Sequence, residues 1–214
     1  MRQSLIGMNV VASDLNEMER FYRANLINSV TGYKSLHLMG TQDKAGISNL
    51  AVFSQVIHLG ADPALVGILF RPRIPGMNSY ENILETGHFT LNHILPEMSC
   101  QAHWTSAKWS SSEFKEVGLT EEYLHGFPAP FVKESVVKIG LHMVAEYPVS
   151  INNTCLMVGA IEYLEIPDDA IKQDGFVDLL ETRTVAGFGL DGYFADGNYD
   201  RYSYAKPGVR PTLI

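Results

Sequence analysis

The sequence has little of what would commit it to several large function classes. Its 214 residues include two cysteines, Cys100 and Cys155, far apart and each set in an apolar or helical pattern. A disulfide framework and a CxxC redox pair are therefore excluded as organising ideas, and the thiols read as reduced. No apolar run approaches the ~20 residues needed to cross a bilayer, and the N-terminal residues turn charged without a cleavage signal. Cations are scarce and scattered: 16 Lys and Arg stand against 24 Asp and Glu, a formal net charge of −8. A nucleic-acid surface is excluded on that ground. These absences read as a soluble cytoplasmic protein. Also missing are a Walker-type loop, HExxH, a nucleophile elbow, and GxGxxG between a strand and a helix. The run GFGLDG (187–192) follows no clear strand and opens no helix, so it is not read as a phosphate loop.

What is present is an ordinary globular composition, 46% hydrophobic and 19% charged, in a length that suits one well-cored domain. Ser13 and Asp14, with Glu17 beyond, predict a capping box for a short helix through Met18, Phe21 and Tyr22 that ends before Asn28. Tyr33–Gly40 predicts a strand, Asp43–Gly46 a hairpin turn, and Ile47–Ile57 and Ala64–Phe70 two further strands. Their near-continuous apolarity implies burial on both faces, under helices or another subunit. Asn78 or Ser79 can cap a helix through Tyr80, Ile83 and Leu84, with Gly87 as its C′ residue. His88–Leu95 alternates as a strand. Met98–Lys108 and Ser112–Val117 read as helices, the second stopped by Gly118. Glu134–Glu146 and Thr154–Ile166 are the later strands, joined across Asn152–Asn153, and the chain is loop-rich from Pro167. The order is mainly β with inserted helices, an α+β class.

Few residues suggest chemistry directly. His88 and His93 are an odd number of positions apart and point to opposite faces of one strand, so they and His103 read as hydrogen-bonded histidines, and no metal is expected. The stretch 47–73 is more informative. Asn49 and Ser54 place small polar groups beside backbone that a ligand could approach, and Arg71 stands at a strand exit. Further on, Lys108 can act as a point charge, Thr105 and Ser106 as hydroxyl donors, and Arg71 as a bidentate donor to a phosphate. A solvated Lys and a surface Arg are the other reading of the same residues. Arg73, two positions after Arg71, should face the opposite way if the strand continues.

Five segments together resemble the flavin reductase-like family, whose domain is an FMN-binding split β-barrel. They are NLAVFSQVIHLGADPALVGILFRP with its Asp62–Pro63 turn, NILETGHFTLNHI, AHWTSAKWSSSEF, APFVKES and NNTCLMVGAIEYLEIPDD. The resemblance covers roughly residues 20 to 205. It implies a single domain over 1–214, a barrel core over about 20–166, and a C-terminal lid or dimer-contact segment over about 167–214. It implies FMN rather than FAD as cofactor, with the flavin carrying the chemistry and no catalytic side chain. Asn49, Leu50, Ala51 and Phe53 would then frame the isoalloxazine edge through backbone N–H groups. Ser54, Arg71, Ser106 and Lys108, with Thr105 beside them, would hold the ribityl phosphate.

One departure matters. Where nicotinamide-using members commonly carry Gly–Asp–His, this chain has Asn152, Asn153 and Thr154. The sequence therefore stands closer to the flavoredoxin-like branch, in which electrons arrive from another protein, and NADH or NADPH stays open as a co-substrate. The implied activity is transfer of electrons through bound FMN to free flavin, a partner oxygenase or a small acceptor, in a homodimer. The alternative is a flavin carrier or storage module without turnover. A pyridoxamine-phosphate oxidase-like enzyme is a third reading, and its substrate-binding basic motifs are not found. Asp191, Tyr193, Arg201 and Tyr204 would reach over the flavin, pack on a second subunit, or form a lid with no chemical role.

Overall fold

Two strands adjacent in the chain lie at opposite edges of one sheet, and that fact shapes the molecule. The computed structural model describes residues 7–72, 78–195, 197 and 201. Its strands are β1 (Lys34–Ser35), β2 (His37–Gln42), β3 (Ser48–Phe53), β4 (Val56–Ala61), β5 (Ala64–Phe70), β6 (His88–His93), β7 (Glu121–Glu122), β8 (Phe131–Val132), β9 (Lys138–Val149), β10 (Thr154–Glu165), β11 (Ala186–Phe188) and β12 (Gly192–Phe194). Its helices are α1 (Ala12–Glu17), α2 (Arg20–Val30), α3 (Asn78–Thr86), α4 (Ser99–Trp104) and α5 (Glu113–Val117). The main antiparallel sheet has the order β3-β2-β6-β9-β10-β5-β4. Laid flat, seven strands would span about 29 Å from edge to edge. The link from Phe53 to Val56 reaches at most about 11 Å. The sheet must therefore curl until the end of β3 reaches the start of β4, giving a barrel that stays split between these two edge strands, with a seam at Ser54–Gln55. Leu69 N, donating to Gln55 O at 3.0 Å, ties β5 into that seam.

Alternation along β2 and β6 feeds two cores. Met39, Phe89 and Leu91 point into the barrel with Ile68, Phe70, Leu141 and Met157. Leu38, Leu50 and Ile94 face outward, beneath Met98, Ala102, Phe114, Val117 and Val185. The two-sided burial predicted for Ile47–Ile57 and Ala64–Phe70 holds only for the start of β3 and the middle of β5, and β4 is largely exposed. The strands covered on both faces are β2 and β6, beneath α4, α5 and the chain near Val185. Short sheets β1-β11-β12 and β7-β8 complete the fold, which is mainly β with several helices in a single domain.

Several boundaries differ from expectation, each for a local reason. The N-terminal helix is two helices, and Ser13 and Asp14 lie inside the first rather than capping it; Asp14 instead accepts from Val11 N at 2.9 Å. Glu19 caps the second, accepting from Phe21 N and Tyr22 N at 2.8 and 2.9 Å, and α2 runs past Asn28 to Val30. The predicted strand over Ile47–Ile57 is broken at the seam into β3 and β4. Likewise Tyr33–Gly40 divides at Leu36, because β1 pairs with β11 while β2 joins the barrel. The predicted helix over Met98–Lys108 shrinks to a 3-10 turn at Pro96–Met98 and α4, since Thr105 leaves the helix to bond β3. Glu134–Glu146 shifts forward to β9. The Asp43–Gly46 turn forms as expected, with Asp43 Oδ1 accepting from Ala45 N and Ile47 N. Gly87 and Gly118, at φ +77° and +72°, follow α3 and α5 as expected.

Candidate functional site

Three of the expected site residues, Phe53, Ser54 and Arg71, lie by the seam. Phe53, half-buried at the end of β3, meets Phe70 edge-on at 5.1 Å, and Ser54 and Arg71 are the residues that follow these two rings. Phe70 in turn meets Tyr80 of α3 at 5.3 Å. Arg71 is exposed and makes no hydrogen bond or ion pair with a described residue. An apolar wall thus ends in a small hydroxyl and a cation without a partner among the described residues. Arg73 lies outside the described residues.

The outer edge of β3 is occupied. Leu50 N donates to Glu113 Oε2 at 3.1 Å and Val52 N to Thr105 Oγ1 at 2.9 Å. Antiparallel pairing alternates, so the N–H groups of Asn49, Ala51 and Phe53 turn inward to β2. The expectation that backbone donors here stand open to a ligand is therefore not met: α5 and the end of α4 protect what would otherwise be a bare sheet edge. Leu50 is also fully buried in the outer core, so its side chain cannot line a ligand. Asn49 is buried; oriented to suit its neighbours, its amide oxygen accepts from Ser79 Oγ at 2.9 Å and its nitrogen donates to Glu113 Oε2 at 3.3 Å.

Thr105 is a clasp rather than an open donor. Its hydroxyl donates to Ala102 O at 2.7 Å while accepting from Val52 N, and the residue is buried. Thr105→Val should therefore cost about 1–3 kcal/mol, because Val52 N–H is left without a partner. Urea unfolding would measure it, and an unchanged midpoint would show that the β3 edge is held otherwise. Ser106 Oγ donates to His103 O at 2.6 Å, and Lys108 is exposed with no partner among the described residues.

Inside the barrel end, His37 lies directly across from both Phe53 and His93. Its ring meets that of His93 at 4.9 Å, and its Nδ1 is buried without a hydrogen-bond partner. His93 Nδ1 pairs with Thr184 Oγ1 at 2.8 Å. Burial lowers the His93 imidazole from 6.5 to about 4, and burial followed by the neighbouring His93 holds His37 well below the usual range. Both rings are neutral at pH 7. Among the described residues no group of His, Cys, Asp or Glu stands where it could hold a metal ion.

The tail residues scatter. Tyr193 faces His103 Nδ1 at 3.3 Å, and burial, then Asp191 and Cys100, push its hydroxyl up to about 12. Arg201 pairs with Asp174 and lies over the Phe176 ring at 3.9 Å. Tyr204 lies outside the described residues. At the last hairpin, Asn152 Oδ1 accepts from Thr154 N and Oγ1 at 3.1 and 2.7 Å, closing a turn. An open depression of about 400 Å³ lined by Pro96, Leu180, Arg183, Ala195 and Gly197 includes none of the expected site residues. Sequence reading missed His37, Ser79 and the role of Glu113. Pairing of β2 with β3 brings in His37, and hydrogen bonds from α3 and α5 to β3 bring in Ser79 and Glu113.

The profile of the flavin reductase like domain matches residues 34–200. A solved split-barrel protein from Shewanella frigidimarina, classed with the flavin reductases, is 43% identical over 93% of this chain and all of its own, with a TM-score of 0.89. Nitrilotriacetate monooxygenase component B from Bacillus cereus shares the fold at 16% identity and TM-score 0.79, over 92% of this chain and 98% of that one. Flavoredoxin of Desulfovibrio vulgaris does so at 18% and 0.67, over 97% and 98%. A curated relative from Halalkalibacterium halodurans, itself uncharacterised, is 27% identical over 81% of this chain and 83% of its own.

Proposed function

The chain belongs to the flavin reductase-like family, and we propose that it is an FMN-dependent oxidoreductase that passes electrons to free flavin, a partner oxygenase or a small acceptor. The observation that carries this reading is the seam, where half-buried Phe53 adjoins Ser54 and the exposed Arg71. That arrangement fits a planar apolar ring system with an anionic tail. When bound, the flavin supplies hydride and single-electron chemistry that no side chain of this protein can. Phe53 and Ala51 would line the ring, Asn49 would act through Ser79 and Glu113 rather than by direct contact, and Ser54, Arg71 and Lys108 would hold the phosphate. Leu50 and Thr105 position β3 instead of touching the ligand. The fold of monooxygenase component B supports an oxygenase as acceptor, and the absence of an imidazole at Thr154 supports a protein as electron donor.

The protein is a cytoplasmic homodimer on this reading. Edge strand β4 exposes Ile57 and Leu59, and the β9–β10 hairpin exposes Val144, Tyr147 and Ile151, an apolar surface suited to a second copy. The segment 167–214 serves as lid or dimer contact. Steady-state reduction of FMN with NADH and with NADPH tests the donor. Slow turnover with both, together with firm FMN binding, is expected; rapid turnover with either would make it a direct reductase. Lys108→Ala should weaken FMN binding about tenfold, the loss of one charged hydrogen bond, and leave riboflavin binding nearly unchanged. Equal losses for both flavins would mean that Lys108 acts through structure.

A further inference from the structure

One polar atom in the barrel has no use in the fold. Among the described residues, Nδ1 of His37 is the one buried side-chain nitrogen or oxygen without a hydrogen-bond partner. Leaving it so costs about 1–3 kcal/mol, and such an atom in a folded protein calls for a reason. Its neighbours are matched. His93, whose ring stands edge-on to His37 at 4.9 Å, pairs its own Nδ1 with Thr184 Oγ1 at 2.8 Å. Thr184 Oγ1 meets Thr182 Oγ1 at 2.8 Å, and Thr182 donates to Leu179 O at 3.2 Å. That series of bonds stops at His93 and leaves out His37.

On its other side His37 is directly opposite Phe53. Opposed side chains stand about 5 Å apart at Cβ, so the imidazole and the half-buried ring beside Ser54 are immediate neighbours. The rings continue from Phe53 to Phe70 at 5.1 Å and from Phe70 to Tyr80 at 5.3 Å, and the Tyr80 hydroxyl is taken by Glu146. A planar ligand laid on this row needs a donor at its polar edge, and the β3 backbone does not supply one. Leu50 N and Val52 N donate to Glu113 and Thr105, and the alternate N–H groups pair with β2. Burial, then the neighbouring His93, hold the His37 imidazole well below its usual range, so at pH 7 it is neutral and keeps one N–H. A neutral donor fixed in a dry site suits an acceptor that gains negative charge.

We propose that His37 Nδ1–H is the hydrogen-bond donor to the edge of a planar ring system bound on Phe53, reaching a carbonyl oxygen or ring nitrogen that gains charge on reduction. The half-buried Phe53 ring is the group that turns aside for the contact to form. The flavoprotein reading supplies the identity of the ring, and the donor stands on the orphaned nitrogen. Nitrogen NMR of histidine-labelled protein, with His37 assigned through His37→Gln, is recorded alone, with FMN, and with lumiflavin, the ring without its ribityl phosphate. The free protein should show Nδ1 without a hydrogen bond, and either ligand should bring it into one. In parallel, the potential of bound FMN is compared in the unaltered protein, His37→Phe and His37→Gln. His37→Phe should bind reduced FMN about tenfold less tightly relative to oxidised FMN, a potential about 30 mV lower for a two-electron couple. His37→Gln keeps an N–H and should recover most of that loss. A response to lumiflavin without FMN binding leaves the donor in place while the functional reading fails. FMN bound with Nδ1 unmoved overturns the proposal and leaves that reading intact. No response to either ligand also overturns it, as does Nδ1 already bonded to a buried water in the free protein. Equal potentials in the Phe and Gln variants would show that His37 acts through packing, and the donor role would fall.

Discussion

Gly40→Ala is expected to cost about 4 kcal/mol or more, enough to leave little folded protein. Gly40 sits mid-strand in β2, and a Cβ there would lie 2.1 Å from Pro130 O and 2.6 Å from Thr90 Oγ1. Neither atom can swing away. The first is backbone, and the second is held by its own bond to that carbonyl at 2.6 Å. Relief would require the chain at Ala129–Phe131, wholly buried, to lift off the sheet. Gly46→Ala is the control. It has a positive φ of +81° but open space around it, so the cost should stay near 1 kcal/mol. Urea unfolding of both variants checks the pair. A loss below about 1 kcal/mol in Gly40→Ala would mean that β2 and the Pro130 segment are not packed as described.

Acid should destabilise the protein well above the range in which carboxylates titrate. His93 has a folded value of about 4 against 6.5 when exposed, and His37 is shifted in the same direction. Since the folded values are depressed, the unfolded chain binds more protons than the native one between these limits. The stabilisation is full above pH 6.5 and falls as pH drops toward 4. For His93 alone the shift corresponds to about 3 kcal/mol, with His37 adding to it. Unfolding free energies from pH 7.5 to 4.5 should show this slope, and the double variant His37→Phe/His93→Gln should flatten it. A flat wild-type profile over that range would show that water or a charge partner reaches these rings. The effect also bears on the site, because His37 lies across from Phe53.

Much of the barrel was legible because its strands carry local signals. The alternation of β6, the Asp43–Gly46 turn, the glycines after α3 and α5, and the Asn152–Asn153 hairpin each rest on propensities acting within a few residues. The seam did not show, since Val52, Phe53, Ser54, Gln55 and Val56 read as continuous strand. Only closure of the sheet demands a break there. The N-terminal cap was misplaced for a related reason: Asp14 and Glu19 both suit the role, and one sequence does not rank them. At the candidate site, Phe53, Ser54 and Arg71 lie by the seam, while Leu50 and Thr105 are spent on packing and on closing the β3 edge. His37 carries no motif and reaches the site only through the pairing of β2 with β3 and β6, and Glu113, though inside a quoted segment, reaches it by a bond from Leu50 N that spans 63 residues.

Parallel titration of the apo-protein with FMN and with riboflavin tests the central claim most directly. The seam sets Arg71 at the end of an apolar wall, and on the proposed reading charged hydrogen bonds to a phosphate should each contribute about 1.5–3 kcal/mol. FMN should therefore bind at least tenfold more tightly than riboflavin, in a complex that shows the visible absorption of a flavin held in an ordered site. Equal affinity for the two, or no binding of either, would contradict the account.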